Sequence, residues 1–316
     1  MAEKQVYLNG EFLPESQAKV PATDLGFYGG DGIYEVTRTF GAKLFRLDAH
    51  LDRLERSLAY IRLDCGLSRD ELENLSKEII TRNKALLGEG CEYALWHVIS
   101  RGGQFGVTDP PPTVVMHCVD VNFKAIARGY LDGLKLVTPG VRRTSGQSVD
   151  PRAKVNSRMN QVQAALEAKQ QDPGAIPLLL DLDGNLAETN TANFFFISGG
   201  KLFTPMARNV LGGITRMTVM ELAAGLGLEV AEGNYTPYDV YTADEAFTSG
   251  TSATITPVKS FNGKIVGEGL PGPVTLSLIK AFSELAGVDF VAQALGHLGG
   301  NEGPDMLAEW KLRLEA

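Results

Sequence analysis

The sequence predicts an α+β protein of two domains. Its 316 residues are 44% hydrophobic, an ordinary composition for a globular protein, and this length corresponds to about two domains. Segments with strand-like alternation and segments with helical spacing are mixed, without the regular strand–helix–strand order of a doubly wound parallel sheet. We therefore expect two domains that each combine helices with strands.

The N-terminal part is predicted to open with a β-hairpin. In KQVYLNGEFL, residues 4–13, apolar residues alternate around Asn9-Gly10, a pair that favours a type I′ turn. Residues 32–45 alternate in the same way around Gly41-Ala42, and Asp48 is expected to cap the helix that follows. Further helices are predicted at 68–87, 157–169 and 214–225, and further strands at 93–99 and 113–121.

Changes in local pattern divide the chain. The stretch FKAIARGYLDG lacks strong strand alternation and precedes the predicted strand LKLVTP, so we expect the connection between the domains there. Near the C terminus, GHLGGNEGPD is expected to be a flexible breaker before a short amphipathic helix on the surface or against a partner. The predicted parts are a small N-terminal domain at 1–122, a linker at 123–133, a large domain at 134–290 and a C-terminal extension at 291–316.

Composition excludes several classes of partner. The net charge of -8 repels phosphate backbones, so no nucleic acid is expected to bind. Cys65, Cys91 and Cys118 are odd in number and widely spaced, which argues against a disulfide framework or a zinc site. The N terminus lacks an apolar signal core and no stretch approaches roughly 18 apolar residues, so no membrane partner is expected. We expect a cytoplasmic protein, unless a Tat-type partner exports it.

The commonest catalytic motifs are missing. The histidines show no paired ligand spacing, so no metal site is expected. The sequence has neither a GxSxG nucleophile elbow nor a GxxxxGK[ST] loop, which argues against common hydrolases and nucleotide-binding proteins.

One lysine lies in a suggestive segment, SVDPRAKVNSRMNQ. Asp150-Pro151 predicts a turn that places Lys154 just ahead of a helix. The like charges of Arg152 and Arg158 disfavour its ammonium form, as an imine-forming lysine requires. The alternative is a solvated surface lysine, since lysines are rarely buried, and the local pattern leaves both interpretations open.

Other segments offer a carboxylate and groups that can bind an anion. Glu188 precedes the polar run TNTAN, where it is either an exposed turn residue or a carboxylate facing a ring nitrogen. A glycine turn leads into a helix at Ile214-Thr215, capped by Thr215, whose free amides and dipole form an anion site. Turn amides near Gly250 can act together with the hydroxyls of Ser249, Thr251 and Ser252. Each feature is weak alone, because most such helix ends and turns bind nothing.

Taken in order, these motifs resemble those of the class IV aminotransferases. That family includes branched-chain, D-amino-acid and (R)-selective amine transaminases and aminodeoxychorismate lyase. The resemblance runs from about Val6 to Val288 and rests on GDGIYEVTRTF, FRLDAHLDRL, the Lys154 segment, LAETNTANFFF, GGITR and SGTSATITPV. It implies the two-domain fold-type IV of pyridoxal-phosphate enzymes, with a small N-terminal α/β domain and a larger C-terminal domain that has a β-barrel-like core.

The resemblance implies pyridoxal 5′-phosphate as the cofactor and a role for each matching residue. Lys154 corresponds to the Schiff-base lysine, which also serves as base and acid, and Glu188 to the partner of the pyridine nitrogen. Arg53 corresponds to the phosphate-binding arginine, although its position alone also suits a solvated helix arginine near Asp52 and Glu55. The other implied cofactor contacts are Asn193, Ile214, Thr215 and Thr251. Where branched-chain enzymes have Gly-Gly-Asn-Tyr, this chain has VNSRMNQ, so Asn156, Arg158 or Asn160 contacts the ring hydroxyl, or none does.

Substrate contacts are expected on one predicted strand. Tyr34, Val36 and Arg38 alternate and therefore face the same side. Arg38 favours a carboxylate substrate, because a guanidinium can hold a carboxylate through two hydrogen bonds; the alternative is a salt bridge with Glu35 or another acid at the domain rim. Leu95 stands where we expect an arginine in branched-chain enzymes, while the DPR-A-K run is similar to that of (R)-amine transaminases. The remaining implied contacts are Tyr28, Tyr93, Ser252 and Ala253.

The substrate and the reaction class stay open at this point. The implied partners are an amino acid or an (R)-amine as donor and a 2-oxo acid, pyruvate or 2-oxoglutarate, as acceptor. A lyase of the aminodeoxychorismate type would use the same lysine and cofactor, and a cofactor-free binding protein of the same fold is a third possibility. The resemblance also implies a homodimer whose active site lies between the domains and takes a loop from the other subunit.

Overall fold

The computed structural model describes residues 2–107 and 109–315. Its contacts divide the chain into two units: unit 1 comprises the residues up to Val121 together with Ala153–Arg158, and unit 2 comprises Asn122–Arg152 and the residues from Met159 onward. Both contain helices and strands, which confirms the predicted α+β class. In the described part of the chain, no helix combines the length and apolar character that crossing a membrane requires.

Unit 1 is built around one six-stranded sheet. Its strands are β1 (Gln5–Leu8), β2 (Glu11–Pro14), β3 (Gly32–Phe40), β4 (Lys43–Leu44), β5 (Tyr93–Ser100) and β6 (Thr113–Asp120). Its α-helices are α1 (Leu25–Gly29), α2 (Leu47–Tyr60) and α3 (Arg69–Asn83). The strands lie in the order β2-β1-β6-β5-β3-β4.

The predicted turns of unit 1 are confirmed. Asn9 and Gly10 join β1 to β2 with φ values of 47° and 100°, and Gly41 and Ala42 join β3 to β4 with φ values of 57° and 59°. Left-handed φ at both central residues is the type I′ geometry that suits the twist of a hairpin. The predicted helix cap is wrong, because α2 begins at Leu47 and Asp48 lies in its first turn.

The two faces of the unit 1 sheet have different environments. Ile33, Leu95 and Met116 are fully buried on the face that packs against α2 and α3. Because side chains alternate along a strand, Tyr34, Val36 and Arg38 lie on the opposite face of β3. A side chain of this sheet can therefore share a site only with side chains on the same face.

Unit 2 contains the remaining strands and helices of the described residues. Its strands are β7 (Leu134–Val137), β8 (Ala175–Leu180), β9 (Leu186–Thr189), β10 (Asn193–Ser198), β11 (Lys201–Pro205), β12 (Val230–Gly233), β13 (Glu245–Gly250), β14 (Thr254–Phe261) and β15 (Lys264–Ile265). Its α-helices are α4 (Phe123–Asp132), α5 (Met159–Gln171), α6 (Ile214–Gly225), α7 (Pro237–Tyr241), α8 (Pro273–Ala286), α9 (Phe290–Leu295) and α10 (Glu302–Glu315).

Six strands of unit 2 close into a barrel, as the resemblance implies. They pair in the order β10-β13-β14-β7-β8-β9, and β9 pairs back to β10 through Glu188 and Asn193. Phe194, Phe196, Leu178 and Leu136 belong to the buried cluster that packs these strands. The pairing that closes the barrel therefore also places Glu188 beside Asn193.

Two segments of unit 2 differ from the sequence-based expectation. Residues 123–133 do not form a separate linker, because Phe123–Asp132 is helix α4 and buries Phe123, Ala127 and Tyr130. The C-terminal helix α10 also packs into unit 2 instead of lying only on its surface. Trp310 is 1% exposed and its Nε1–H donates to Asp289 Oδ2 over 3.1 Å, so the helix is anchored in unit 2.

Candidate active site

The Lys154 segment is bonded to β3 of unit 1. The amide of Tyr34 donates to the carbonyl of Lys154, and the amide of Asn156 donates to the carbonyl of Gly32, each over 2.9 Å. A Cβ on Gly32 would lie 2.6 Å from the Ile99 carbonyl oxygen and 2.8 Å from Asn156 Nδ2. A side chain at position 32 would therefore collide first with the backbone of the neighbouring strand β5 and also with the Asn156 side chain.

The Lys154 side chain lies over an aromatic ring. Its Nζ is 4.4 Å from the centroid of the Tyr34 ring, and the Arg158 guanidinium carbon is 5.5 Å from the same centroid. Arg152 instead forms an ion pair with Asp150, with 2.6 Å between Nη2 and Oδ2. Of the two arginines that the sequence places near Lys154, only Arg158 shares its immediate surroundings.

Arg53 is a buried residue rather than a solvated helix arginine. It is 4% exposed, and its Nε and Nη2 donate to the two oxygens of Glu35 over 2.8 and 2.6 Å. The neighbouring acids Asp52 and Glu55 pair with Arg69 instead. Its predicted role as a phosphate ligand stays a prediction, and the geometry adds Glu35 as the group that orients it.

Glu35 and His50 complete this buried cluster in unit 1. Burial by itself would raise the pKa of the Glu35 carboxyl, but the Arg53 guanidinium and the His50 ring together outweigh it and hold that pKa well below its ordinary value. Burial lowers the pKa of His50, whose Nδ1–H donates to Glu35 Oε1 over 3.0 Å. Neither residue is predicted from the sequence as part of the site, although a glutamate on the core face of a buried strand signals a buried cation nearby.

The face of β3 that carries Tyr34, Val36 and Arg38 also carries Trp96. Val36 pairs with Trp96 in the sheet, and the Trp96 and Tyr34 rings stack with 5.5 Å between centroids. Arg38 is 1% exposed, with its guanidinium carbon 4.4 Å from the centroid of the Phe40 ring. A bridge from Arg38 to Glu35 does not apply, since Glu35 lies on the opposite face of β3.

Two residues of β5 face away from this surface. Tyr93 is fully buried in the core beside α3, and its hydroxyl donates to the carbonyl of Asn83 over 3.0 Å. The structure therefore contradicts Tyr93 as a substrate contact. Leu95 is fully buried on the same core face, whereas Trp96 lies on the face of Tyr34, Val36 and Arg38.

Tyr28 is highly exposed in unit 1. It is 69% exposed and makes an edge contact with Phe105, which is 74% exposed. Phe27 beside it is 78% exposed. Large aromatic side chains grouped on a surface commonly mark a site of interaction.

In unit 2, Glu188 is held by three donors. Arg143 Nε donates to Oε1 over 2.9 Å, and Asn193 Nδ2 and the Leu211 amide donate to Oε2 over 3.2 and 3.0 Å. Glu188 is 7% and Arg143 9% exposed, so the alternative of an exposed turn residue is wrong. Arg143 was missed, because nothing in its local sequence relates it to a residue 45 positions away.

The start of helix α6 differs slightly from the expected cap. Gly213 occupies the N-cap position and makes no side-chain cap, while Ile214 and Thr215 are the first helical residues. A Cβ on Gly213 would lie 2.0 Å from Asn193 Oδ1, so glycine is required for this contact. The helix start and the Glu188 carboxylate are thus joined through Asn193, and the anion site at Ile214 and Thr215 stays a prediction.

The turn after β13 carries the last group of predicted contacts. Thr251 and Ala253 are half-buried and Ser252 is exposed, and the Ala253 carbonyl accepts a hydrogen bond from the Tyr130 hydroxyl over 2.9 Å. Ser249 pairs with Asn193 across the two strands. Within residues 2–107 and 109–315, no group of three or more His, Cys, Asp or Glu side chains is arranged to hold a metal ion.

The sequence matches known aminotransferases over most of its length. The family model for amino-transferase class IV matches residues 32–261. Branched-chain-amino-acid aminotransferase-like protein 1 of Arabidopsis thaliana is 32% identical over 287 residues, which are 90% of this chain but 51% of that protein. D-alanine aminotransferase of Staphylococcus aureus strain COL is 30% identical over 282 residues, 89% of this chain and 97% of that protein. These names support the transaminase interpretation rather than the lyase one.

Solved structures of aminotransferases are also similar to this chain. The branched-chain amino acid aminotransferase of Escherichia coli superposes with a TM-score of 0.84 at 28% identity, over 90% of this chain and 95% of the other. The T.th. branched-chain amino acid aminotransferase with pyridoxamine 5′-phosphate gives a TM-score of 0.79 at 27% identity, over 91% and 95%. The chain therefore belongs to the class IV aminotransferases.

Proposed function

We propose that this protein is an aminotransferase that carries pyridoxal 5′-phosphate on Lys154. The reaction would move an amino group from an amino acid or an (R)-amine to a 2-oxo acid. The observation that carries the proposal is the placement of Lys154, whose backbone N–H and C=O are both hydrogen bonded within unit 1 and whose amine lies over the Tyr34 ring. A lysine held in this way can present its amine reproducibly to a bound cofactor.

The groups at the start of α6 fit the phosphate of this cofactor. First-turn amides have no acceptor inside a helix, and Gly213 supplies no side-chain cap. Ser249 adds a hydroxyl that is 1% exposed and has no hydrogen-bond partner among the described residues. Ile214, Thr215 and Thr251 would therefore hold the phosphate.

Glu188 fits a protonated ring nitrogen. A carboxylate offers about four lone-pair positions, and Arg143, Asn193 and Leu211 use three of them, so one remains for a ring N–H. The three donors also hold the carboxylate in one orientation. Asn193 would thus serve the cofactor through Glu188.

Lys154 would act as both attachment point and proton carrier. The bound cofactor supplies an electron-accepting ring that stabilises negative charge beside the substrate nitrogen. The Lys154 amine would take a proton from the substrate carbon that bears the amino group and would hold that proton for return later in the transfer. No further base is required.

The substrate is proposed to lie on the face of Tyr34, Val36 and Arg38. The stacked rings of Tyr34 and Trp96 form an apolar wall, which suits an apolar or aromatic side chain, while Arg38 suits a carboxylate. We therefore favour amino acids as donors and pyruvate or 2-oxoglutarate as acceptor. The DPR-A-K run keeps (R)-amines as a second donor class, and Ser252 and Ala253 stay proposed contacts.

We also propose a homodimer. The exposed aromatic side chains of Phe27, Tyr28 and Phe105 support it, since such a group is otherwise unfavourable in water. A second copy of the chain is the partner that the family resemblance implies. Tyr28 would then act on substrate in the partner's site.

Replacing Lys154 tests the proposal directly. Lys154→Ala should abolish the visible absorption of the loaded protein and all turnover, because no other group would attach the cofactor. Lys135→Ala is the matched control, since that lysine is 51% exposed and paired with Asp172. The assignment is lost if Lys154→Ala keeps both the absorption band and the activity.

Replacing Arg38 tests the substrate class. Arg38→Ala should lower kcat/KM for amino and oxo acids by an amount that corresponds to about 1.5–3 kcal/mol of transition-state stabilisation, the range for a hydrogen bond to a charged group. For amines without a carboxylate, kcat/KM should fall much less. Arg82→Ala, which removes an exposed arginine paired with Glu78, should change neither. Equal losses for both substrate kinds, or no loss, would show that Arg38 does not bind the carboxylate.

Sedimentation tests the homodimer. The parent should sediment as a dimer at micromolar concentration, and Phe27→Ser combined with Phe105→Ser should shift it toward the monomer, because the apolar surface that drives association is removed. Leu312→Ser is the control, since Leu312 is also 67% exposed but belongs to α10. A parent that is monomeric and fully active contradicts the homodimer.

A further inference from the structure

Ser57 of helix α2 links two groups of the proposed site within unit 1. Its Oγ accepts the backbone N–H of Lys154 over 3.1 Å and donates to the backbone carbonyl of Arg53 over 2.9 Å. Ser57 is 1% exposed. The hydroxyl therefore joins the helix turn that carries Arg53 to the residue that carries the proposed cofactor linkage.

This contact fixes the N-terminal side of Lys154, which the hydrogen bonds to β3 do not. Those bonds use the carbonyl of Lys154 and the amide of Asn156, which lie on its C-terminal side. The Lys154 amide is partly buried, and losing its acceptor there is unfavourable, so the chain would shift to find another partner. A shift of the Lys154 backbone would move the origin of its flexible side chain.

We propose that Ser57 is a positioning residue for Lys154 and that its hydroxyl sets how readily the lysine amine forms its covalent link. The inference rests on the proposed function, since it concerns the same lysine. The step is the condensation of the Lys154 amine with the aldehyde of the cofactor. It forms a carbon–nitrogen double bond and releases one water molecule, with no oxidant or reductant. Ser57 touches neither the cofactor nor the substrate in this role and acts only through the lysine backbone.

A second buried serine supplies a matched control. Ser76 of helix α3 is fully buried, donates to the carbonyl of Leu72 four residues earlier over 2.6 Å, and lies 2.8 Å from His97 Nε2. It resembles Ser57 in residue type, burial and helical hydrogen bond, but its second contact is a core histidine. Loss of Ser76 therefore reports what the removal of a buried helix hydroxyl does to stability alone.

The test compares two ligands that differ in the linkage. Pyridoxal 5′-phosphate can condense with Lys154, whereas pyridoxamine 5′-phosphate has the same ring and phosphate but an amine where the aldehyde would be. Ser57→Ala should weaken the binding of pyridoxal 5′-phosphate about tenfold, as expected when a partly buried N–H loses its acceptor, and the binding of pyridoxamine 5′-phosphate by no more than about twofold. Dissociation constants come from absorbance titration for the first ligand and from tryptophan fluorescence for the second. Ser57→Thr, which keeps a hydroxyl, should bind pyridoxal 5′-phosphate nearly as tightly as the parent protein does.

The outcomes separate this inference from the proposed function. Equal weakening of both ligands, or a difference that Ser76→Ala reproduces, overturns the positioning role of Ser57. If Ser57→Ala does not fold, Ser57→Cys keeps the size of the side chain with a poorer acceptor and should give the same selective loss on a smaller scale. Retention of the visible band by Lys154→Ala would instead overturn the proposed function. Loss of that band in Lys154→Ala, together with an unselective Ser57→Ala, would overturn this inference alone.

Discussion

Hydrogen bonding between β3 and residues 154–156 is the interaction on which the proposed chemistry depends. The lysine segment follows a stretch of unit 2 in the sequence, yet its backbone bonds are made to Gly32 and Tyr34 of unit 1. The absence of a side chain at Gly32 leaves room for the Ile99 carbonyl of β5 and for the Asn156 side chain. Gly32 of the GDG motif therefore has a structural reason, which is the close packing of β3 against β5 and the Asn156 side chain.

Strand β3 then organises the surroundings of that lysine through its two faces. Its core face presents Glu35, which fixes the guanidinium of Arg53, and its other face presents Tyr34, over whose ring the Lys154 amine lies. All nine residues of the strand are buried. In unit 2, the pairing of Glu188 with Asn193 has a similar double effect, since it closes the barrel and holds the proposed ring-nitrogen partner. In both units the residues proposed for chemistry are thus also residues that hold the fold together.

The sequence predicts local features well because their causes are local. The turns at Asn9-Gly10 and Gly41-Ala42, helix α6 and the shared face of Tyr34, Val36 and Arg38 all follow from short-range pattern. Contacts between distant segments cannot be predicted from such short-range patterns. Alternation along β5 divides its residues into two sets, but only the pairing of Val36 with Trp96 shows that Tyr93 and Leu95 belong to the core. Arg143 and Glu188 meet across 45 positions, so their ion pair could not be predicted from spacing.

The central claim is that Lys154 carries the cofactor, and chemical trapping measures this most directly. Borohydride reduces the link between a lysine and pyridoxal 5′-phosphate to a stable bond, after which proteolysis and mass spectrometry locate the modified residue. We expect the native parent protein to be labelled once per chain, on Lys154. Labelling of a different lysine, or labelling spread over several surface lysines, would contradict it.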